Sequence, residues 1–204
     1  MESRRSTIER IYLTRADLEQ EENTARYWRH IERYISVRHR AYGNVLDLAC
    51  GVGYGSYILS KNPDVEHVYG VDQSLDTIEF AKSEYGGDKV SFFSDIEEVD
   101  KSLLEDGIDR FDVLVSIETI EHIAEDNILP QIARRFHIPK LLISFPHIKS
   151  THFNKYHFHD FNTQQIKDLF KEWLLTDEYK IHHDVTILEF TANPEYWNLS
   201  LKDS

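Results

Sequence analysis

Val45-Leu46-Asp47-Leu48-Ala49-Cys50-Gly51-Val52-Gly53-Tyr54-Gly55-Ser56 is the stretch on which the fold turns. A short apolar run ends at a carboxylate, breaks into glycines and resumes with helical spacing. Read physically, it is a buried strand, a tight turn and the start of a helix. Glycines permit a bend that needs φ > 0 and let a ligand lie close against the backbone. Phosphate-binding loops also put glycine between strand and helix, and two details set this one apart. No Gly-Lys-Ser/Thr follows, so the lysine that cradles phosphate in a P-loop is missing. Asp47 stands just before the loop, where it repels a pyrophosphate and suits a cationic ligand.

The acid and its spaced glycines, Asp47-Leu48-Ala49-Cys50-Gly51-Val52-Gly53, resemble the first motif of the class I S-adenosylmethionine (SAM) dependent methyltransferases. Ala49 occupies the first usual glycine position, a departure small enough to leave cofactor binding intact. The resemblance continues through roughly residues 44–191. It implies a Rossmann-like fold, SAM as cofactor and methyl transfer as the activity.

Composition bounds the rest. A chain of 204 residues suffices for one α/β domain with a sizeable core. Its apolar runs are strand-length, well short of the ~20 residues of a membrane span. The start, Met1-Glu2-Ser3-Arg4-Arg5, lacks the apolar core of a secretory signal. A lone cysteine, Cys50, cannot form an internal disulfide and fits a reducing cytoplasm. Inside the turn it reads as a small packing residue, with no base nearby to activate it. The net charge of −13 argues against broad binding to nucleic acid or to an anionic membrane. Arginines crowd the first forty residues, Arg4, Arg5, Arg10 and Arg15 among them, and read as the solvated face of an amphipathic helix.

Residues 15–40 carry helical spacing, with Leu18, Ala25, Trp28, Ile31, Tyr34 and Ile35 on one side. Thr14 and Asp17 supply an N-cap and a first-turn acid. Residues 1–42 are therefore read as a helical extension, 43–192 as the catalytic domain and 193–204 as a tail. Within the domain, strands are expected at 44–48, 66–71, 89–93, 111–117, 140–145, 174–180 and 185–190. Helices are expected at 53–60, 74–85, 124–137 and 163–173. Strands alternating with helices of this length imply a doubly wound, mostly parallel α/β sheet. The last two strands are joined too closely for a crossover helix and should form an antiparallel hairpin.

Asp47, Asp72, Asp95 and Glu118 fall at or just beyond expected strand ends, where open parallel sheets bind ligands. An acid ending the second strand, about twenty residues past a glycine loop, can accept from both ribose hydroxyls. That geometry serves NAD as well as SAM, and the glycine motif together with the aligned acids favours SAM. The resemblance implies that Ala49, Gly51 and Gly53 line the cofactor, that Asp72 with Gln73 takes the ribose, and that Asp95 with Ile96 recognises adenine. Acids at strand ends also cap helices, and Asp95 suits that role best.

The segment after the fourth strand, Ser116-Ile117-Glu118-Thr119-Ile120-Glu121-His122-Ile123, carries the candidate chemistry. If it is helical, Glu118, Glu121 and His122 share one face. Methyl transfer needs alignment and deprotonation of the acceptor, and His122 is suited to take that proton. Further on, His147, His152, His157 and His159 crowd one loop. Its end, Tyr156-His157-Phe158-His159-Asp160-Phe161, resembles the Tyr-His-x-x-Glu-Phe element of methyltransferases encoded with sugar and glycan pathways, with Asp160 in place of glutamate. His147, His157 and His159 are accordingly the substrate candidates, and O-methylation of a sugar or other small hydroxylated acceptor is the expected reaction.

Two other readings remain. Glu118, Glu121, His122 and His157 form a candidate set for a divalent ion. RNA 3′-terminal 2′-O-methyltransferases look similar here, with Glu-x-x-Glu-His and a later histidine, although the acidity of the chain argues against RNA as a partner. The third reading is a non-catalytic SAM-binding subunit that docks through its N-terminal helix.

Overall fold

The computed structural model describes residues 11–108, 110–152, 154–181 and 183–200. Arg4, Arg5 and Arg10 of the basic stretch lie outside the described residues, as do positions 201–204 of the expected tail. Seven strands form one sheet: β1 (Gly43–Leu48), β2 (Val65–Val71), β3 (Val90–Phe93), β4 (Val113–Ser116), β5 (Lys140–Pro146), β6 (Trp173–Ile181) and β7 (Val185–Ala192). Their order across the sheet is β3-β2-β1-β4-β5-β7-β6. The chain divides into two compact units, Met1–Gly107 and Ile108–Ser204.

In the first unit β1 and β3 each run parallel to β2, and Asp47 lies opposite Gly70 in register. The helices are α1 (Arg15–Glu19), α2 (Glu21–Arg38), α3 (Tyr54–Ser60), α4 (Leu75–Tyr85) and α5 (Ile96–Asp106). Val45, Leu46, Val68, Ile78 and Ala81 form its core, each at most 1% exposed. The single helix expected over 15–40 is interrupted at Gln20, whose backbone is extended. Thr14 and Asp17 do cap α1, each side chain bonding the other's backbone N–H.

α5 was not expected. Its buried apolar residues are only Val99 and Leu103, four apart; Ile96 at its start is half-buried and Leu104 is exposed. Its end signals were legible: Asp95 caps the start by accepting from Glu97 N, and Gly107 closes the end in the left-handed region at φ 71°.

In the second unit β4 and β5 are parallel, and β7 runs antiparallel to both β5 and β6, so the expected C-terminal hairpin is present. The helices are α6 (Ile128–Arg135), α7 (Thr163–Leu169) and α8 (Pro194–Ser200), the last within the stretch read as a tail. α6 begins four residues later than expected because Pro130 sits in its first turn, where its missing N–H breaks no bond. α7 stops short of Trp173, which is buried at the start of β6 and donates from Nε1 to Ile138 O at 2.9 Å. No helix among the described residues is long and apolar enough to cross a membrane.

Candidate active site

β1 carries Asp47 into the interior, where it is 0% exposed. Its Oδ2 accepts from Ser56 Oγ at 2.6 Å and its Oδ1 from Tyr34 OH at 3.2 Å. Burial pushes its carboxyl up to about 7; the two hydroxyls oppose that rise, and the charge of Asp72 adds to it. Asp47 is therefore a strut beneath the loop. Tyr34, for which the sequence offers core packing ahead of substrate contact, comes from α2 and lies edge-on to Tyr54 at 5.8 Å. Neither Tyr34 nor Ser56 belongs to a motif. A buried hydroxyl is a signal only once its acid partner is known to lie beside it.

Above that strut the backbone turns left-handed three times, at Ala49 (φ 61°), Gly51 (φ 56°) and Gly53 (φ 89°). The two glycines serve different ends. A Cβ at Gly51 would meet nothing within 4 Å, so open space lies over its backbone. A Cβ at Gly53 would lie 2.7 Å from Phe92 Cζ and 2.8 Å from Ala81 Cβ, so packing demands that glycine. Asp72, at the end of β2, accepts from Gly51 N at 3.2 Å and from Ser74 N at 2.9 Å. Those donors aim its carboxylate and tie the loop to the start of α4. Gln73 beside it is exposed, Asp95 caps α5 and Ile96 opens that helix. Burial pushes the Cys50 thiol well up, which leaves it a packing residue.

In the second unit the expected helix face of Glu118, Glu121 and His122 does not form. Glu118 is left-handed at φ 51°, and only Ile120–His122 make a single 3₁₀ turn. The cause is Ser144 on β5: its Oγ accepts from Glu118 N at 2.8 Å and donates to Glu118 Oε1 at 2.8 Å. Glu118 therefore stands apart from the other candidate metal ligands. Glu121, His122 and His157 each offer a ligand atom, all within 4.8 Å of one another.

The histidine loop is stitched onto that turn. Phe158 N donates to Glu121 O at 2.8 Å, and His159 Nε2 donates to Ile123 O at 3.1 Å. His122 Nδ1 lies 3.1 Å from Tyr156 O. A carbonyl only accepts, so Nδ1 carries a proton, and in the neutral ring the lone pair is on Nε2, 4.0 Å from Glu121 Oε1. That nitrogen can take a proton, and the carboxylate of Glu121, 1% exposed, would stabilise the resulting imidazolium. The His157 ring stands edge-on to His122 at 4.5 Å. His147 lies elsewhere: its Nδ1 meets Thr186 Oγ1 at 3.1 Å and its N donates to Asp184 O, at the end where β5 meets β7.

The methyltransferase domain family matches residues 39–191, most of the chain. This chain belongs to that family. Among solved structures, magnesium protoporphyrin IX methyltransferase of Synechocystis PCC 6803 with bound SAH superposes with a TM-score of 0.64 at 15% identity, covering 92% of this chain and all 100% of that one. The TehB-like SAM-dependent methyltransferase of Corynebacterium glutamicum gives 0.57 at 18% identity, covering 84% and 97%. The fold is thus that of the class I SAM-dependent methyltransferases. A curated relative, phosphoethanolamine N-methyltransferase 3 of Arabidopsis thaliana, is 37% identical over 93 residues, or 46% of this chain. The match spans only 18% of that relative's length. For a methyltransferase domain the first unit offers a loop that fits SAM: open space over Gly51, and at Asp72 an oriented carboxylate for hydroxyl donors.

Proposed function

We propose that this methyltransferase domain transfers a methyl group from SAM to the nitrogen of a small amine that also carries an anionic group. The observation that carries the reading is the 3.1 Å contact of His122 Nδ1 with Tyr156 O, which makes Nδ1 the donor and leaves Nε2 of the neutral ring as a base 4.0 Å from Glu121 Oε1. An ammonium must lose a proton before its nitrogen can attack, and His122 Nε2 accepts it. SAM supplies the electrophilic methyl on its sulfonium. Asp72 holds the ribose, with Gln73 beside it, and Gly51 gives the cofactor backbone contact. Asp95 and Ile96 serve the adenine. The loop around Asp47 is held rigid from below by Ser56 and Tyr34.

Two considerations favour an amine over the sugar hydroxyl expected from sequence. By name, the curated relatives are N-methyltransferases of phosphoethanolamine. In a chain of net charge −13, residues 141–159 contain no Asp or Glu, and they carry Lys149 and Lys155. These two ammonium groups attract the anionic group of an acceptor, opposed by the carboxylates of Asp160 and Glu121 that border the same loop.

The test is SAH production with phosphoethanolamine as first acceptor and a small sugar for comparison. His122→Ala should lower turnover on the order of 10²–10⁴-fold while SAM affinity holds. Unchanged turnover would remove His122 as the base, and transfer to the sugar alone would return the acceptor to oxygen.

The grouping of Glu121 and His122 with His157 favours a second reading, in which these three side chains hold a divalent ion that orients the acceptor. Chelation would then abolish transfer and an added divalent ion restore it, whereas activity that resists chelation would end this reading.

A further inference from the structure

Between β5 and α7 the chain folds onto one carboxylate. Asp160 Oδ1 accepts from Ser150 N at 2.7 Å and Thr151 N at 3.1 Å, and its Oδ2 accepts from Thr151 Oγ1 at 2.6 Å. The Thr151 hydroxyl, then the Ser150 N–H, hold the Asp160 carboxyl down at about 2, so it acts only as an acceptor. Asn154 N donates to Ser150 O, and His157 N to Asn154 O, which closes the loop on itself. Ser150, 3% exposed, sits at its centre. Its Oγ lies 3.5 Å from Asp160 Oδ1 and 2.5 Å from His157 Nδ1.

We propose that Ser150 and Asp160 are positioning residues for His157, locking its imidazole with Nδ1 protonated and Nε2 unprotonated beside His122. This rests on the reading that His157 serves the acceptor. A hydroxyl has one proton, and a carboxylate can only accept. With the Ser150 proton turned toward Asp160, Ser150 Oγ is left to accept from His157 Nδ1. His122 is locked the same way by Tyr156 O, so the two rings, 4.5 Å apart, carry the same tautomer. Each presents Nε2, the state that either a base or a metal ligand needs. The departure from glutamate at 160 also acquires a reason. The shorter side chain reaches back to the N–H groups of Ser150 and Thr151 and closes a compact turn.

The test reads the histidine ring nitrogens by NMR in the whole chain labelled with ¹⁵N-histidine, with His157 assigned by His157→Gln. In the wild type, neutral His157 should show the Nδ1–H form. Ser150→Ala should convert it to a mixture dominated by Nε2–H, while His122 keeps its Nδ1–H signal as an internal control for folding. Ser150→Thr, which retains the hydroxyl, should restore the wild-type pattern, and Asp160→Asn should weaken it. With phosphoethanolamine as acceptor, Ser150→Ala should lower kcat on the order of ten- to a hundredfold and leave the KM for SAM unchanged. An unaltered His157 tautomer in Ser150→Ala overturns the proposal. If the tautomer shifts as expected but His157→Gln transfers methyl normally, the positioning stands and the acceptor role of His157 falls.

Discussion

Asp47 stands at a motif position and is fully buried, held by the hydroxyls of Ser56 and Tyr34. Its carboxyl titrates near 7 rather than 3.8, so between about pH 4 and pH 7 the folded protein keeps a proton that the unfolded chain has released. The contribution of this group to stability therefore declines as pH rises through that window and is lowest above it. Asp47→Asn cannot ionise and should lose the decline. In urea titrations without SAM, the difference in unfolding free energy between pH 5 and pH 8 should shrink by on the order of 3 kcal/mol. Equal pH slopes for variant and parent would mean that Asp47 is not a buried, raised acid. Ala49 belongs to the same scale. It is left-handed at φ 61°, where the family motif has glycine, so this chain accepts strain there that a glycine would not have.

At the scale of elements, the ends of α5 and of the 3₁₀ turn decide where the acids point. Asp95 both begins α5 and is the proposed adenine partner, and the two roles separate on substitution. Asp95→Ala should cost about 1 kcal/mol of stability through the lost cap, and Asp95→Ser should restore it. Calorimetry with SAM on both variants then discriminates. Weakened binding in both marks recognition of adenine, and normal binding in both marks a cap alone. Ser144 plays the corresponding part for Glu118. Two bonds of 2.8 Å to one serine hold the glutamate in a conformation that a helix does not allow. The histidine loop behaves as an element too, since three bonds between its residues and Glu121, His122 and Ile123 place it.

For the whole molecule the decisive measurement is the choice of cofactor. A ligand that binds only the folded state raises its stability by mass action, about 2.7 kcal/mol at a hundred times Kd. SAM and SAH should raise the melting temperature on this scale, and NAD should leave it unchanged. Asp72→Ala should lose most of the SAM effect, because the ribose hydroxyls lose their acceptor. Stabilisation by NAD in place of SAM would overturn the cofactor assignment even though the fold is shared.

The strand, loop and helix around Asp47, the alternation of strands and helices and the closing hairpin were legible in the residues themselves. Their signals are local: runs of buried apolar residues, glycines at left-handed turns, acids and hydroxyls that cap the next helix. α5 escaped because two buried residues make too narrow a stripe to stand out, although Asp95 and Gly107 marked its ends. The helix expected through Glu118 failed for a different reason. Its conformation depends on Ser144, 26 residues away, and spacing along the chain carries no trace of that bond. The same holds for Tyr34 on Asp47 and for the His122–His157 pair. Four histidines in one loop look alike in sequence. Hydrogen bonds to distant carbonyls and hydroxyls decide that His157 joins His122, that His159 pins the loop and that His147 lies at the end of β5. Local chemistry determined the elements, and contacts between residues far apart in the chain determined which side chains meet.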